Sequence, residues 1–305
     1  AWAGLEFVLQ EIVGLRNGIK SDGEIAIIGP TLYQMFHNPI FYLGMNIVAY
    51  DFVIPGRKHI PSSDDINQIL ESNPKALVIS NSNNPDGKYI PNDVLKYTIE
   101  RAQEVGAYVI VDEIQNCFPA TEDVTYGSWI QNPHVIRVDS PSKRYALAEY
   151  RVGWAIAESD LLGDRMDGIV GRMSGIIGNA PRATNTALIK IVEKELEKIQ
   201  TGEDFLEATK SELRQKERYV IERLQSTPRV KKIFPRDACI NLAFQVDYAR
   251  SDMDLARELM QEGTLIMPAC GYGYDSTETV MRITFAERDN KLEHALDCLE
   301  RVLSR

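Results

Sequence analysis

Six short runs at 24–28, 47–50, 76–80, 108–112, 135–138 and 152–156 are almost wholly apolar, and stretches of helical periodicity stand between them. A strand that is apolar at nearly every position keeps no face for water, so it belongs in a sheet covered on both sides. Helical patterns at 64–72 and 92–105 supply such covers, the second opened by Pro91-Asn92 as a cap signal. Repeated β-α units of this kind predict an α/β fold with a doubly wound, mostly parallel sheet.

Beyond residue 156 the texture changes. Long amphipathic patterns run over 160–177, 184–200 and 205–225, the last dense in alternating charge and therefore read as a solvated helix. Strand-like pieces return at 230–234, 240–246, 265–268 and 280–285, with helices near 252–261 and 290–303. The chain is accordingly expected to form a large α/β domain over 1–202, including a connecting helix, and a smaller C-terminal α+β domain over 203–305.

Composition narrows the function classes. The 305 residues carry 34 Lys+Arg against 44 Asp+Glu, a net charge of −10, with 44% hydrophobic residues. That is enough apolar material for a core without staples, and too acidic for a phosphate backbone to be the main partner. No apolar stretch approaches the roughly 20 residues a membrane helix needs, and the first residues show no basic leader pattern, so a cytoplasmic protein is expected. Cys117, Cys239, Cys270 and Cys298 form no Cys-x-x-Cys pair. His37, His59, His134 and His294 are equally isolated, so no metal is expected.

Ligands of open α/β sheets sit outside the carboxyl ends of the strands, and several of these ends carry chemistry. The run 76–80 is followed by Asn81-Ser82-Asn83-Asn84-Pro85-Asp86-Gly87, by itself a turn. The run 108–112 ends in Asp112-Glu113, an acid that burial makes costly without a cationic partner or a ligand. The next run leads into Asp139-Ser140-Pro141-Ser142-Lys143 and then Arg151-Val152-Gly153, which places an amine and a guanidinium among hydroxyls, as at an anion site.

In this order and spacing the three segments resemble the fold-type I pyridoxal-phosphate (PLP) enzymes, specifically the class I/II aminotransferase superfamily, over nearly the whole chain. Asn84-Pro85-Asp86-Gly87 is similar to the family's Asn-Pro-x-Gly turn, Asp112 to its aspartate, and Lys143 with Arg151 to its lysine segment. Ala1-Trp2-Ala3-Gly4-Leu5 is similar to the turn and helix start that hold the cofactor phosphate, and Met281-Arg282-Ile283-Thr284 to the strand whose arginine grips a substrate carboxylate.

The resemblance implies that Lys143 forms the internal aldimine with PLP and, once displaced, acts as the base at the substrate Cα. Asp112 is implied to pair with the ring nitrogen, and Asn84 to donate to the phenolic oxygen. Ser140, Ser142, Arg151 and the backbone of Ala1 and Trp2 are implied to hold the phosphate, and Arg282 the α-carboxylate. Tyr33, in Gly29-Pro30-Thr31-Leu32-Tyr33, stands one place later than the family's usual ring-stacking aromatic; a core or interface tyrosine is an equal reading. Gln115 stands where the family commonly has a tyrosine, and Asp86 where threonine is common.

The function so implied is transamination between an α-amino acid and a keto acid, with a lyase, decarboxylase or other amino-acid-modifying activity on the same site as the alternative that Gln115 favours. A homodimer is implied, with neither nucleic acid nor membrane as partner. The chain begins at the phosphate turn itself, so an N-terminal arm is expected to be missing.

Overall fold

A computed structural model describes residues 24–28, 46–50, 61–120, 132–150, 153–157 and 182–305. The first sheet has six strands: β1 (Glu24–Ile28), β2 (Asn46–Tyr50), β3 (Ala76–Ser80), β4 (Tyr108–Asp112), β5 (Val135–Asp139) and β6 (Trp154–Ile156). Their spatial order is β2-β1-β3-β4-β5-β6. All neighbours are parallel except β6, which runs antiparallel to β5. The order reverses between β1 and β3, the kind of switch point where open sheets leave a crevice.

Helices α1 (Ser63–Glu71) and α2 (Asn92–Glu104) pack on one face of this sheet. Ile66, Ile69 and Leu70 of α1 and Leu95, Ile99 and Ala102 of α2 meet Ala26, Leu77, Ile79, Val109 and Val111. Ile25, Val78, Ile110 and Ile136, on the opposite face, are equally buried, which is why the strands show no polar alternation. Burial stabilises α1 by roughly 1.5–3 kcal/mol per large side chain. The Ser62–Asp65 capping box adds about 1 kcal/mol and decides where the helix starts. In α2 the cap signal resolves differently: Pro91 takes the cap position without a side-chain bond, and Asn92 is the first helical residue.

The expected helix at 160–177 lies outside the described residues. Two long helices follow, α4 (Arg182–Thr201) and α5 (Glu207–Ser226); the short α3 (Pro141–Arg144) precedes them. The second sheet is antiparallel, in the order β7 (Val230–Ile233), β8 (Asn241–Val246), β10 (Val280–Thr284), β9 (Met267–Pro268). One face packs on α5, α6 (Asp252–Gln261) and α7 (Asp289–Leu303), through Phe244, Met281, Phe285, Leu296 and Leu299. The other face carries a smaller cluster of Phe234, Ala243, Ala269, Tyr272, Tyr274 and Val280.

Residues 236–239 join the two sheets. Asp237 N and Ala238 N donate to Gly87 O at 3.0 and 2.9 Å, and Cys239 N donates to Cys117 O at 2.8 Å. Arg236, 7% exposed, donates to Phe118 O at 2.7 Å and forks onto Glu217 of α5.

Candidate active site

The exits of β3, β4 and β5 stand level, because Ser80 pairs with Asp112 and Asp112 with Val138 in the ladder. Asn81 N donates to Asp112 O at 2.9 Å and Glu113 N to Val138 O at 2.8 Å, so the three segments leave the sheet side by side. Parallel pairing therefore assembles what the sequence spreads over sixty residues.

Asp112 accepts a hydrogen bond from Ile114 N at 3.0 Å. Among the described residues no cationic side chain bonds to it. Burial raises its carboxyl to about 7, and nearby Asp139 pushes the same way. A cationic group beside it would make the charged carboxylate the favoured form.

After β3 the chain turns at Asn84-Pro85-Asp86-Gly87. Asp86 Oδ1 accepts from Asn83 Nδ2 at 2.7 Å and from Lys88 N at 3.2 Å. Gly87 has φ +69°, and a Cβ there would lie 2.2 Å from Ala238 O, so the close approach of residues 236–239 needs glycine. The turn buries Asn84, whose Oδ1 accepts from Arg282 Nη1 at 3.3 Å across 198 positions of sequence. The Arg282 guanidinium lies over the Tyr272 ring at 4.9 Å, and its buried Nε has no hydrogen-bond partner among the described residues.

Ser140 is buried and caps α3, its Oγ accepting from Ser142 N at 3.3 Å, while Ser140 N donates to Asp139 Oδ1 at 2.6 Å. Lys143, in α3, is half-buried beside a cavity of about 350 Å³ that Phe118, Tyr145, Ile240 and Arg288 also line. Among the described residues its ammonium makes no hydrogen bond or ion pair. Gln115 Oε1 is buried without a partner among the described residues, and its backbone carbonyl accepts from Ser82 Oγ at 2.9 Å. Ala1, Trp2, Tyr33 and Arg151 lie outside the described residues.

The structure thus brings Asn84 into contact with Arg282, and sets Asp112 and Ser140 at the ends of adjacent strands. Some neighbours carry less sequence signal. Asp139, whose carboxyl burial raises to about 6, could have been noticed as a second acid at a strand exit. Tyr272 and Tyr274 lie some ten residues before Arg282, and only the tertiary fold makes them its neighbours. Glu113 forks onto Arg137 of β5 at 2.5 and 2.7 Å, which accounts for the acid next to Asp112.

A family model described as aminotransferase class I and II matches residues 15–299. The aspartate/prephenate aminotransferase of Thermus thermophilus is 20% identical over 297 residues, covering 97% of this chain and 74% of that protein. A probable aminotransferase of Arabidopsis thaliana, TAT1, is 26% identical over 313 residues, covering 99% of this chain; the chain spans 66% of that relative's length. Among solved structures, an aspartate aminotransferase from Thermotoga maritima superposes with a TM-score of 0.79 at 18% identity, covering 99% of this chain and 74% of that one. A double mutant of the Thermus thermophilus aspartate aminotransferase gives a TM-score of 0.81 at 17% identity, with the same coverage.

Proposed function

The chain belongs to the class I and II aminotransferase family, whose members depend on PLP, and from that premise we propose that it moves an amino group between an α-amino acid and a keto acid. The observation that carries the reading is Asp112, a buried carboxylate at a strand exit with no cationic side chain bonded to it among the described residues. The cofactor's ring nitrogen, cationic when protonated, complements that carboxyl in charge. When bound, PLP supplies an aldehyde and an electron sink for the Cα electron pair.

The residues divide the remaining work. Lys143 would hold the cofactor's aldehyde carbon through its amine and, once displaced, would take the proton from the substrate Cα and return it at that aldehyde carbon, two bonds away. Asp112 holds the ring nitrogen. Asn84 Oδ1 is already engaged by Arg282, which leaves Nδ2 to donate to the ring's phenolic oxygen. Arg282 takes the substrate α-carboxylate, and its unpartnered Nε is a donor still available for it. We assign the phosphate to Ser140, Ser142, Arg151 and the backbone of Ala1 and Trp2, and the ring face to Tyr33.

Lys143→Ala is the direct test. Replacing the amine is expected to abolish the visible absorbance of the bound cofactor and to lower turnover at least a thousandfold; unchanged absorbance and turnover overturn the assignment. A second reading, a lyase or decarboxylase on the same site, is favoured by Gln115, whose amide can donate a hydrogen bond but cannot ionise as a tyrosine can. Single-turnover assays with a panel of amino acids separate the two: conversion of the cofactor to its amine form supports transamination, and its absence with every donor that reacts supports the second reading.

We extend the proposal to two domains, 1–202 and 203–305, supported by one sheet on either side of residue 203. A homodimer is supported by an apolar stripe on α4, where Ile189, Val192, Leu196 and Ile199 follow a 3-4-3 spacing and are 52–78% exposed. Light scattering of the protein in solution tests it. A cytoplasmic location is supported by four cysteines that remain free thiols. No helix among the described residues is long and apolar enough to cross a membrane.

A further inference from the structure

Asp86 stands where the family commonly has threonine, and the catalytic roles above leave it without a task. It is 1% exposed, and its Oδ2 accepts from Tyr274 Oη at 3.2 Å, Tyr274 being 4% exposed. Asp86 belongs to the turn that presents Asn84. Tyr274 belongs to the loop after β9, two residues from Tyr272, whose ring lies under Arg282. Gly273 between the two tyrosines has φ +93°, and Tyr274 N donates back to Ala269 O at 3.3 Å, so the loop is a closed unit. Its start is anchored by Asp252 Oδ2, which accepts from Cys270 N at 2.8 Å. One loop therefore grips both members of the Asn84–Arg282 contact: Tyr272 under the guanidinium, and Tyr274 on the turn that carries the asparagine.

We propose that Tyr274, acting through Asp86, is a positioning residue that sets Arg282 and Asn84 for the substrate α-carboxylate. The inference rests on the aminotransferase reading. A threonine at 86 could still accept from the turn's own amides, but it is too short to reach across to Tyr274; the carboxylate makes the second bond. Losing that bond frees the loop relative to the turn and spoils the two-hydrogen-bond geometry an arginine fork requires.

The test compares two ligands on the PLP-loaded protein, 2-aminoisobutyrate and tert-butylamine, which differ by a carboxylate in place of a methyl group and neither of which has a hydrogen on the amine-bearing carbon for a base to take. Dissociation constants are read by calorimetry. Tyr274→Phe is expected to weaken 2-aminoisobutyrate about tenfold, the effect of one hydrogen bond to a charged group, and to leave tert-butylamine unchanged. Asp86→Thr is expected to act alike, and the double variant to be no weaker than the weaker single one. Asp86→Asn, whose amide can donate to the Tyr274 oxygen while Oδ1 serves the turn, is expected to restore most of the affinity. Equal affinity for 2-aminoisobutyrate in wild type and Tyr274→Phe, or an equal loss on both ligands, overturns the proposal. Wild-type protein that takes up no PLP overturns the functional reading and this inference with it. If Tyr274→Phe does not fold, Asp86→Thr carries the same comparison.

Discussion

Asp112 and Asp139 end adjacent strands, and burial raises both carboxyls, to about 7 and about 6. A carboxyl whose pKa is higher folded than unfolded favours the fold below its unfolded value, near 4, and that contribution is lost as pH rises through the folded value. The cofactor-free protein is therefore expected to lose stability from this source between pH 4 and pH 7, by an amount on the order of a few kcal/mol. Urea unfolding across that range should show the slope, and Asp112→Asn should remove most of it. PLP should flatten it as well, because a cationic partner lowers the Asp112 value; a slope untouched by the cofactor would contradict the pairing. Gly87 gives a second prediction at this scale. Gly87→Ala adds a Cβ 2.2 Å from Ala238 O at φ +69°, and a loss of about 2–4 kcal/mol is expected in the urea midpoint. Asn84 and Lys143 were legible as residues because their neighbours in sequence form recognisable runs. Tyr274 was not, because its role depends on a contact with Asp86 across 188 positions.

Among the elements, the central strands behave as their apolar runs predict, β3 being buried at all five positions. Their ends are held by polar pairs that the runs do not reveal. Glu113, just past β4, and Arg137 within β5 have side chains 5% and 19% exposed and lock the exits of the two strands together. Removing one partner leaves the other charge largely buried without its fork, so Arg137→Leu is expected to cost about 3 kcal/mol. Pairing it with Glu113→Leu should recover much of that loss, and thermal unfolding of the two singles and the double decides. Helix limits shift by a residue or two from their periodic patterns because caps, not periodicity, set them: Ser62 and Ser251 start α1 and α6 with side-chain bonds, whereas α2 begins behind Pro91 without one. The 265–268 run shrinks to Met267–Pro268, which pair with Met281 and Arg282 of β10.

At the scale of the whole molecule, residues 236–239 tie the segments that leave the first sheet to the second. Arg236 bonds Phe118 O and Glu217 and lies over the Phe285 ring at 5.0 Å, while Lys88 pairs with Asp237 at 2.9 Å. Arg236→Met keeps the stem and deletes the bonds to Phe118 O and Glu217, leaving the Lys88–Asp237 pair in place. We expect it to lower stability by about 3 kcal/mol and to split unfolding into two transitions, read as non-coincident fluorescence and circular-dichroism curves; a single coincident transition would show that the sheets hold together without it. The α/β class, the α+β character of the C-terminal part and the strand-exit motifs were written locally, because burial on two faces forces apolar runs and turns demand particular residues. The meeting of Asn84 with Arg282, the burial of Asp112 beside Asp139 and the grip of Tyr274 on Asp86 were decided only by tertiary structure. Each depends on which distant segments pack together, and a local pattern of hydrophobicity or turn chemistry contains no term for that.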